Sequence, residues 1–186
     1  RAAAADPNDP RIYQHRITAA FGLLGLFFKR PDLGAAVINA EELVELSSMD
    51  CTAWLTRSML LGALGLGEFV LPDLDTAARL APDSWEPYCA RILFRLAQAR
   101  VESSCITPEI LESMRTDAET AIRKEKNPGM AHLARAQLRQ QLLGDTKGAQ
   151  EDEVVFVEAM KSGKVFVGTA LLAVSEFVFA WMGCDD

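Results

Sequence analysis

Apolar side chains recur every three or four residues along most of this chain, and proline and glycine separate the segments that show this spacing. From 33 to 50, for example, the apolar positions include Val37, Ile38, Leu43 and Val44. This spacing is typical of an amphipathic helix, whereas a half-buried strand alternates every second residue. No segment alternates convincingly. The pattern therefore predicts an all-α chain of about eight or nine helices.

Proline and capping residues predict where these helices begin and end. Residues 1–10 are predicted to form an extended tail, because "DPNDPR" combines two prolines with turn-forming residues. In "LAPDSWEPY", Pro82 is predicted to end one helix and Ser84 to cap the next. Thr107 and Pro108 indicate another helix start. The segments "CTAWLTRSMLLGALGLGEF" and "LPDLDTAARLAP" are predicted to be two separate helices.

A helix–turn–helix unit followed by proline is best formed at residues 51–84, where four positions carry the pattern: Trp54, Gly65, Ala77 and Pro82. The aromatic residue can pack between paired helices, glycine lets the chain turn, alanine permits close approach, and proline cannot continue a helix. These residues resemble the tetratricopeptide (TPR) repeat, a helix hairpin of about 34 residues. This resemblance implies stacked antiparallel helix hairpins, a TPR-like solenoid, over residues 11–164.

The other copies of the repeat are degenerate. One begins at Trp85 with Tyr88 at the aromatic position, and the loop "VESSCI" delays its second helix. Another begins at Met130, with Gly144 at the turn and Ala149 at the small position. An N-terminal copy near residue 18 places Gly25 and Phe28 on family positions.

Composition and charge narrow the chemistry. The net charge is −7, the pI is about 4.9, and no lysine- or arginine-rich block is present, which argues against nucleic acid as a partner. The four cysteines form no CxxC and are predicted to be buried thiols in a reducing compartment. His15 and His132 have no metal-binding spacing and are interpreted as exposed or capping residues, so no metal or other cofactor is predicted.

Acidic residues give no indication of a catalytic site. Glu41 and Glu42 are adjacent in sequence, as are Asp152 and Glu153, and neighbours in a helix point to different sides. Both pairs are interpreted as solvated helix faces, and the chain is predicted not to be an enzyme.

The TPR resemblance also implies a binding groove, lined by the first helix of each hairpin. The groove positions that we predict to bind a partner are Leu55, Met59 and Leu93. The lysines, arginines and asparagines that hold a peptide carboxylate in some members of the family are absent, so a hydrophobic or amphipathic partner helix is favoured. The other interpretation is that these residues are buried against an adjacent helix.

Residues 165–186 contain an apolar run, 165–183, with Glu176 as its one charge, and an acidic tail. The run is predicted to be a hydrophobic C-terminal helix that either closes the solenoid or is inserted in a membrane, since its length is close to that of a bilayer core. An interfacial helix is disfavoured because the run lacks a charged face. One stripe of the predicted helix is small or polar: Thr169, Ala173, Glu176 and Ala180. Further partner-binding residues are predicted in the run: Phe177, Phe179 and Trp181.

Three functional hypotheses follow. The first is a non-catalytic protein-binding scaffold, an accessory or assembly subunit of a larger, membrane-bound complex of a mitochondrion or plastid. The organelle is suggested by "RAAAAD", since a chain that begins with Arg1 is expected to be a processed form or a fragment. The second is a tail-anchored receptor or adaptor that recruits a soluble protein to a membrane through residues 165–183. The third is a pigment- or cofactor-contacting subunit, with Glu176 or a histidine as ligand.

Overall fold

The structure, a computed structural model, describes residues 9–12, 33–126 and 129–162. Within these residues every regular element is helical, and the all-α prediction is confirmed. The α-helices of residues 33–126 and 129–162 are α1 (Leu33–Leu46), α2 (Cys51–Ala63), α3 (Gly67–Leu80), α4 (Glu86–Val101), α5 (Pro108–Lys124), α6 (Met130–Leu138) and α7 (Thr146–Lys161). A 3₁₀ turn, Ser103–Cys105, lies between α4 and α5, and a π-helical turn, Arg139–Leu143, continues α6.

Side chains just before three of these helices satisfy backbone N–H groups of the first turn. The Asp50 carboxylate accepts from the Thr52 N–H at 2.9 Å, and the Asp145 carboxylate accepts from the Gly148 N–H at 2.9 Å. Thr107 caps α5, as predicted. These residues act as N-caps, because the first N–H groups of a helix have no partner within it.

Gly65 reverses the chain between α2 and α3, as the sequence predicts. Its φ of 73° lies in the left-handed region, where a side chain would be strained. The Leu66 N–H donates to the Leu61 carbonyl at 2.9 Å, and the Gly65 N–H donates to the Gly62 carbonyl at 3.0 Å. This pair of hydrogen bonds is the Schellman motif, which closes the C-terminal end of α2.

Two predicted helix boundaries are wrong. Pro72 lies inside α3 and does not start a new helix. It is the sixth residue of α3, so its ring removes one hydrogen bond within the helix, and the helix nevertheless continues to Leu80. Ser84 does not cap α4, because the N-cap position is Trp85, and the Ser84 hydroxyl donates to the Glu86 carboxylate instead.

The helices form two compact units, which divide between Leu80 and Ala81. In the first unit α2 packs against both α1 and α3. The buried core between α1 and α2 consists of Ala40, Leu43, Val44, Ala53 and Leu60, with Val37 and Trp54 packed against it. Trp54 therefore contacts the core that α2 shares with the preceding helix.

In the second unit successive hairpins stack. Helix α4 pairs with α5, α6 pairs with α7, and α6 also packs against both helices of the preceding hairpin. The core is apolar and consists of Cys89, Ile92, Leu93, Leu96, Met114, Ala118, Ala121, Met130, Ala131, Ala134 and Leu138. This nesting is what a helical-repeat protein needs, because one hairpin alone leaves an apolar face uncovered.

None of the helices in the described part of the chain is long and apolar enough to cross a membrane. The predicted C-terminal helix, 165–183, lies outside the described residues, as does most of the predicted tail, 1–10.

Candidate protein-interaction site

A buried ion pair joins the two helices of each hairpin. In the first unit, the Arg57 guanidinium donates to both carboxylate oxygens of Asp73, with Nε–Oδ2 at 2.8 Å and Nη2–Oδ1 at 2.7 Å. In the last hairpin, Arg135 contacts Asp152 in the same two-pronged way, at 2.8 and 2.6 Å. The arginine always lies on the first helix of the pair, and the aspartate is buried on the second.

The middle hairpin has the equivalent pair, in which Arg91 donates to the buried carboxylate of Asp117. Three residues before the arginine there is an aromatic ring in both this hairpin and the first one. The Arg57 guanidinium lies 4.7 Å from the Trp54 ring centre, and the Arg91 guanidinium lies 5.2 Å from that of Tyr88. Cation–π contact fixes the arginine side chain in position to meet the aspartate.

In the last hairpin the corresponding ring is His132. Its Nδ1 lies 3.0 Å from Asp152 Oδ1, and the carboxylate also accepts from Arg139 Nη1 at 2.8 Å. Burial would raise the pKa of Asp152, but hydrogen bonds from Arg135 and His132 and the arginine charges hold it below its ordinary value. The Asp152 carboxylate is ionised, and three side chains already contact its oxygens. It is therefore unsuited to act as a general base, and its role is structural.

These contacts correct two interpretations of the sequence. Asp152 was expected on a solvated face and is buried, and His132 was expected to be exposed or capping and instead contacts that aspartate. The signal for both was present in the sequence. The segments "WLTR", "YCAR" and "HLAR" place a ring three residues before each arginine, and a buried aspartate follows each of them.

When His132 is aligned with Trp54 and Tyr88, the third copy of the repeat begins at Gly129, one residue before the predicted start at Met130. The aspartate follows the arginine by 16 residues in the first hairpin and by 17 in the last. A π-helical turn contains one residue more than an α-helical turn, and residues 139–143 form such a turn. In the middle hairpin the separation is 26, because the loop that includes Ser103–Cys105 is inserted.

The residues that the sequence predicted to bind a partner differ in how far they are exposed to solvent. Leu55 is 7% exposed, and Leu93, at 6%, belongs to the core of the second unit. Met59 is half-buried on α2. Their role in binding stays a prediction, although a partner could touch only the edges of the two leucines. The predicted residues Phe177, Phe179 and Trp181 lie outside the described residues.

Other large apolar side chains face solvent. Leu64, Leu66 and Phe69 surround the Gly65 turn between α2 and α3, and we call these three residues the turn cluster. Phe69 is 51% exposed. Backbone hydrogen bonds of Leu64 and Leu66 to α2, and of Phe69 to Leu66, fix the backbone that carries the cluster. The sequence did not predict this cluster, because Gly65 was interpreted only as the turn between two helices.

The described residues contain no group of three or more histidine, cysteine, aspartate and glutamate side chains that could hold a metal ion. Cys89 and Cys105 are free thiols, and burial raises the pKa of the Cys89 thiol well above its ordinary value. The Cys89 thiol is therefore poorly suited to act as a nucleophile, since the thiolate is the reactive form.

Comparison with protein-family models and with curated proteins gives no match. Among solved structures, one described as "MamA RS-1 ArsTM double mutant" is similar, with a TM-score of 0.54 and 21% sequence identity. The alignment covers 85% of this chain and 79% of that chain. MamA is a TPR-like helical-repeat protein, so the similarity supports a TPR-like helical fold.

Proposed function

We propose that this chain is a non-catalytic scaffold that binds an apolar or amphipathic helix of another protein. The turn cluster is the observation that carries the proposal. Three large apolar side chains are exposed together on backbone that a Schellman motif already fixes. A preorganised apolar surface binds at a small entropic cost, and contiguous exposed apolar residues are typical of protein-interaction sites.

A scaffold role also agrees with the rest of the described side chains. TPR-like folds are generally non-enzymatic. The buried charges described above are paired across helix hairpins, where they hold neighbouring helices in one register. Such pairs give a surface of fixed shape, which is what a binding scaffold needs.

The wider setting is proposed on the sequence. We infer an accessory or assembly subunit of a larger, membrane-associated complex in an organelle, because residues 165–183 are apolar over a length close to that of a bilayer core. In this proposal Met59 contributes to the partner surface of the first unit, and Phe177, Phe179 and Trp181 contribute near the C-terminus.

The test is a comparison of two variants in native purification from the source cells. Leu66→Ser/Phe69→Ser removes two members of the turn cluster, whereas Val101→Ser changes an even more exposed apolar residue at the end of α4. We expect the wild-type chain and Val101→Ser to retain a second protein at fixed stoichiometry. The double variant should lose it by roughly tenfold or more, since loss of two apolar contacts weakens binding by at least about 1.4 kcal/mol.

Both variants should keep the helical circular-dichroism spectrum of the wild type. Equal retention of the same protein by all three chains would contradict binding at the turn cluster. A wild-type chain that purifies alone under native conditions would contradict the scaffold role itself.

The alternative function is a tail-anchored adaptor, and the apolar run 165–183 is the feature that favours it. Carbonate extraction of membranes separates the two. An anchored chain stays in the pellet and is released when 165–186 is deleted, whereas a peripheral scaffold is extracted with or without that segment.

A further inference from the structure

Helix α7 has two apolar sides, and α6 covers one of them. Ala149 and Ala159 are buried on the covered side. Val154, Val157 and Met160 are 56%, 44% and 50% exposed, and their spacing of three residues places them along one side of the helix. We call these three residues the α7 strip. An apolar strip of this kind on a terminal hairpin is where the next helix of a repeat would pack.

The α7 strip lies on the C-terminal half of the helix. The exposed residues of the N-terminal half are polar or charged, and they include Lys147, Gln150 and Glu153. Helix α7 ends at Lys161, so the chain leaves the helix beside the strip. Whatever directly follows in the sequence is therefore the segment nearest to it.

The segment that follows is the apolar run 165–183, with three residues, Ser162 to Lys164, between the helix and the run. A connection of two to five residues between helices makes a hairpin, in which the second helix returns along the first. In the second unit α6 follows α5 and packs against it and against α4, so this chain already uses that arrangement.

We propose that residues 165–183, which lie outside the described residues, fold back along α7 and cover the α7 strip. The lengths agree, since α7 has 16 residues and so extends about 24 Å, and the 19-residue run extends about 28 Å if helical. Covering the strip removes three large apolar side chains from water.

An antiparallel register also accounts for the polar positions of the run. Residues on two such helices pair at equal distances from the connection, because both rise about 1.5 Å per residue. Thr169 is then opposite Val157, and Ala173 is opposite the turn that holds Val154. These small side chains allow close approach to the strip. Glu176 is opposite the polar half of α7, near Gln150, where its carboxylate can be hydrated.

Photo-crosslinking in the purified full chain tests this contact. The residue p-benzoylphenylalanine is placed at Val157 in one chain and at Glu151, an exposed position more than 90° around α7, in a control chain. After irradiation, mass spectrometry maps the crosslinked peptides. We expect Val157→p-benzoylphenylalanine to crosslink within its own chain to residues 165–173, and the control to give at least fivefold less of that product.

Three results would overturn the proposal: a crosslink from position 157 to a second copy of the chain, no crosslink to 165–173, or equal yields from the two positions. The experiment is repeated with vesicles of phosphatidylcholine and phosphatidylglycerol. Loss of the intramolecular product there, with crosslinks to lipid instead, would favour the membrane span and contradict the closing helix.

A second measurement does not depend on the unnatural residue. Val154→Lys/Val157→Lys disrupts the strip, and we expect at least tenfold faster amide hydrogen exchange in residues 165–173 but unchanged exchange in α4 and α5. Unchanged exchange in 165–173 would contradict the contact. The inference concerns α7 and not the turn cluster, so it can fail without the proposed function failing, and the reverse also holds.

Discussion

At the scale of single residues, the main finding is that one arrangement of ring, arginine and aspartate recurs in all three hairpins between Cys51 and Lys161. The third copy differs from the others, because the imidazole of His132 takes the place of the Trp54 or Tyr88 ring and contacts the carboxylate of Asp152 directly. Arg135 and Arg139 complete the set of donors around this carboxylate. Asp152 therefore joins three side chains of α6 and the π-helical turn to α7.

Asp152→Asn should lower the free energy of unfolding at pH 7 by about 3 kcal/mol, because it leaves Arg135 and Arg139 without their buried counter-charge. Urea unfolding followed by circular dichroism measures this. The matched control is Glu153→Gln, an exposed neighbour on α7, which should change stability by less than about 0.5 kcal/mol. Similar values for the two variants would show that the buried ion pair is unimportant.

The pH dependence of the same variant has a definite sign. The folded-state pKa of Asp152 lies below its ordinary value, so its contribution is present above about pH 4 and is lost as the pH falls through the lower folded value. The difference in stability between wild type and Asp152→Asn should shrink over that acid range.

The pKa of Glu125, which accepts from three N–H groups at the start of α6, is shifted in the opposite direction, because burial raises it. Glu125 is present in both the wild type and Asp152→Asn, so its titration cancels when the stability of one is subtracted from that of the other.

At the scale of the helices, the π-helical turn at 139–143 compensates for one extra residue. Gly65 follows Arg57 by eight residues, whereas Gly144 follows Arg135 by nine, and both glycines adopt a left-handed conformation. The π-turn absorbs the extra residue, so that Arg135 and Asp152 still meet.

Deletion of the exposed Gln140 should therefore be tolerated. It gives the last hairpin the spacing of the first one, and we expect a stability within about 1 kcal/mol of the wild type, with the π-turn replaced by α-helix. Deletion of Thr116, which is also exposed and lies in the middle of α5, should unfold the second unit, because it rotates Asp117 and Ala118 by about 100° away from the core.

Thermal unfolding of the two deletion variants and of the wild-type chain measures the difference in stability. If deletion of Gln140 is as damaging as deletion of Thr116, the extra residue has a role of its own in α6 and the alignment of the hairpins is wrong.

At the scale of the whole molecule, periodicity and turn residues were enough to predict an all-α chain of helix hairpins. Gly65 and Thr107 were recognisable because glycine turns and N-caps are local features of a few residues. The boundary expected at Pro72 was wrong, because α3 begins at Gly67 and continues past the proline despite the hydrogen bond that it removes.

The candidate site was less predictable because burial depends on which helices meet. The sequence alone could not show that Leu93 lies in the core, that Asp152 is buried, or that Phe69 is exposed. Comparison of "WLTR", "YCAR" and "HLAR" with one another would have identified the ion pairs, because their spacing repeats. The turn cluster had no such signal, since exposure of an apolar residue is decided by tertiary packing.

The central claim is that each hairpin is locked by its own arginine–aspartate pair, and nuclear magnetic resonance of the arginine side chains tests it most directly. We expect the guanidinium N–H groups of Arg57, Arg91 and Arg135 to exchange slowly with water, and those of the exposed Arg115 to exchange fast. Replacing one aspartate by asparagine should abolish the protection in its own hairpin. Exchange as fast as that of Arg115 at all three arginines would contradict the account.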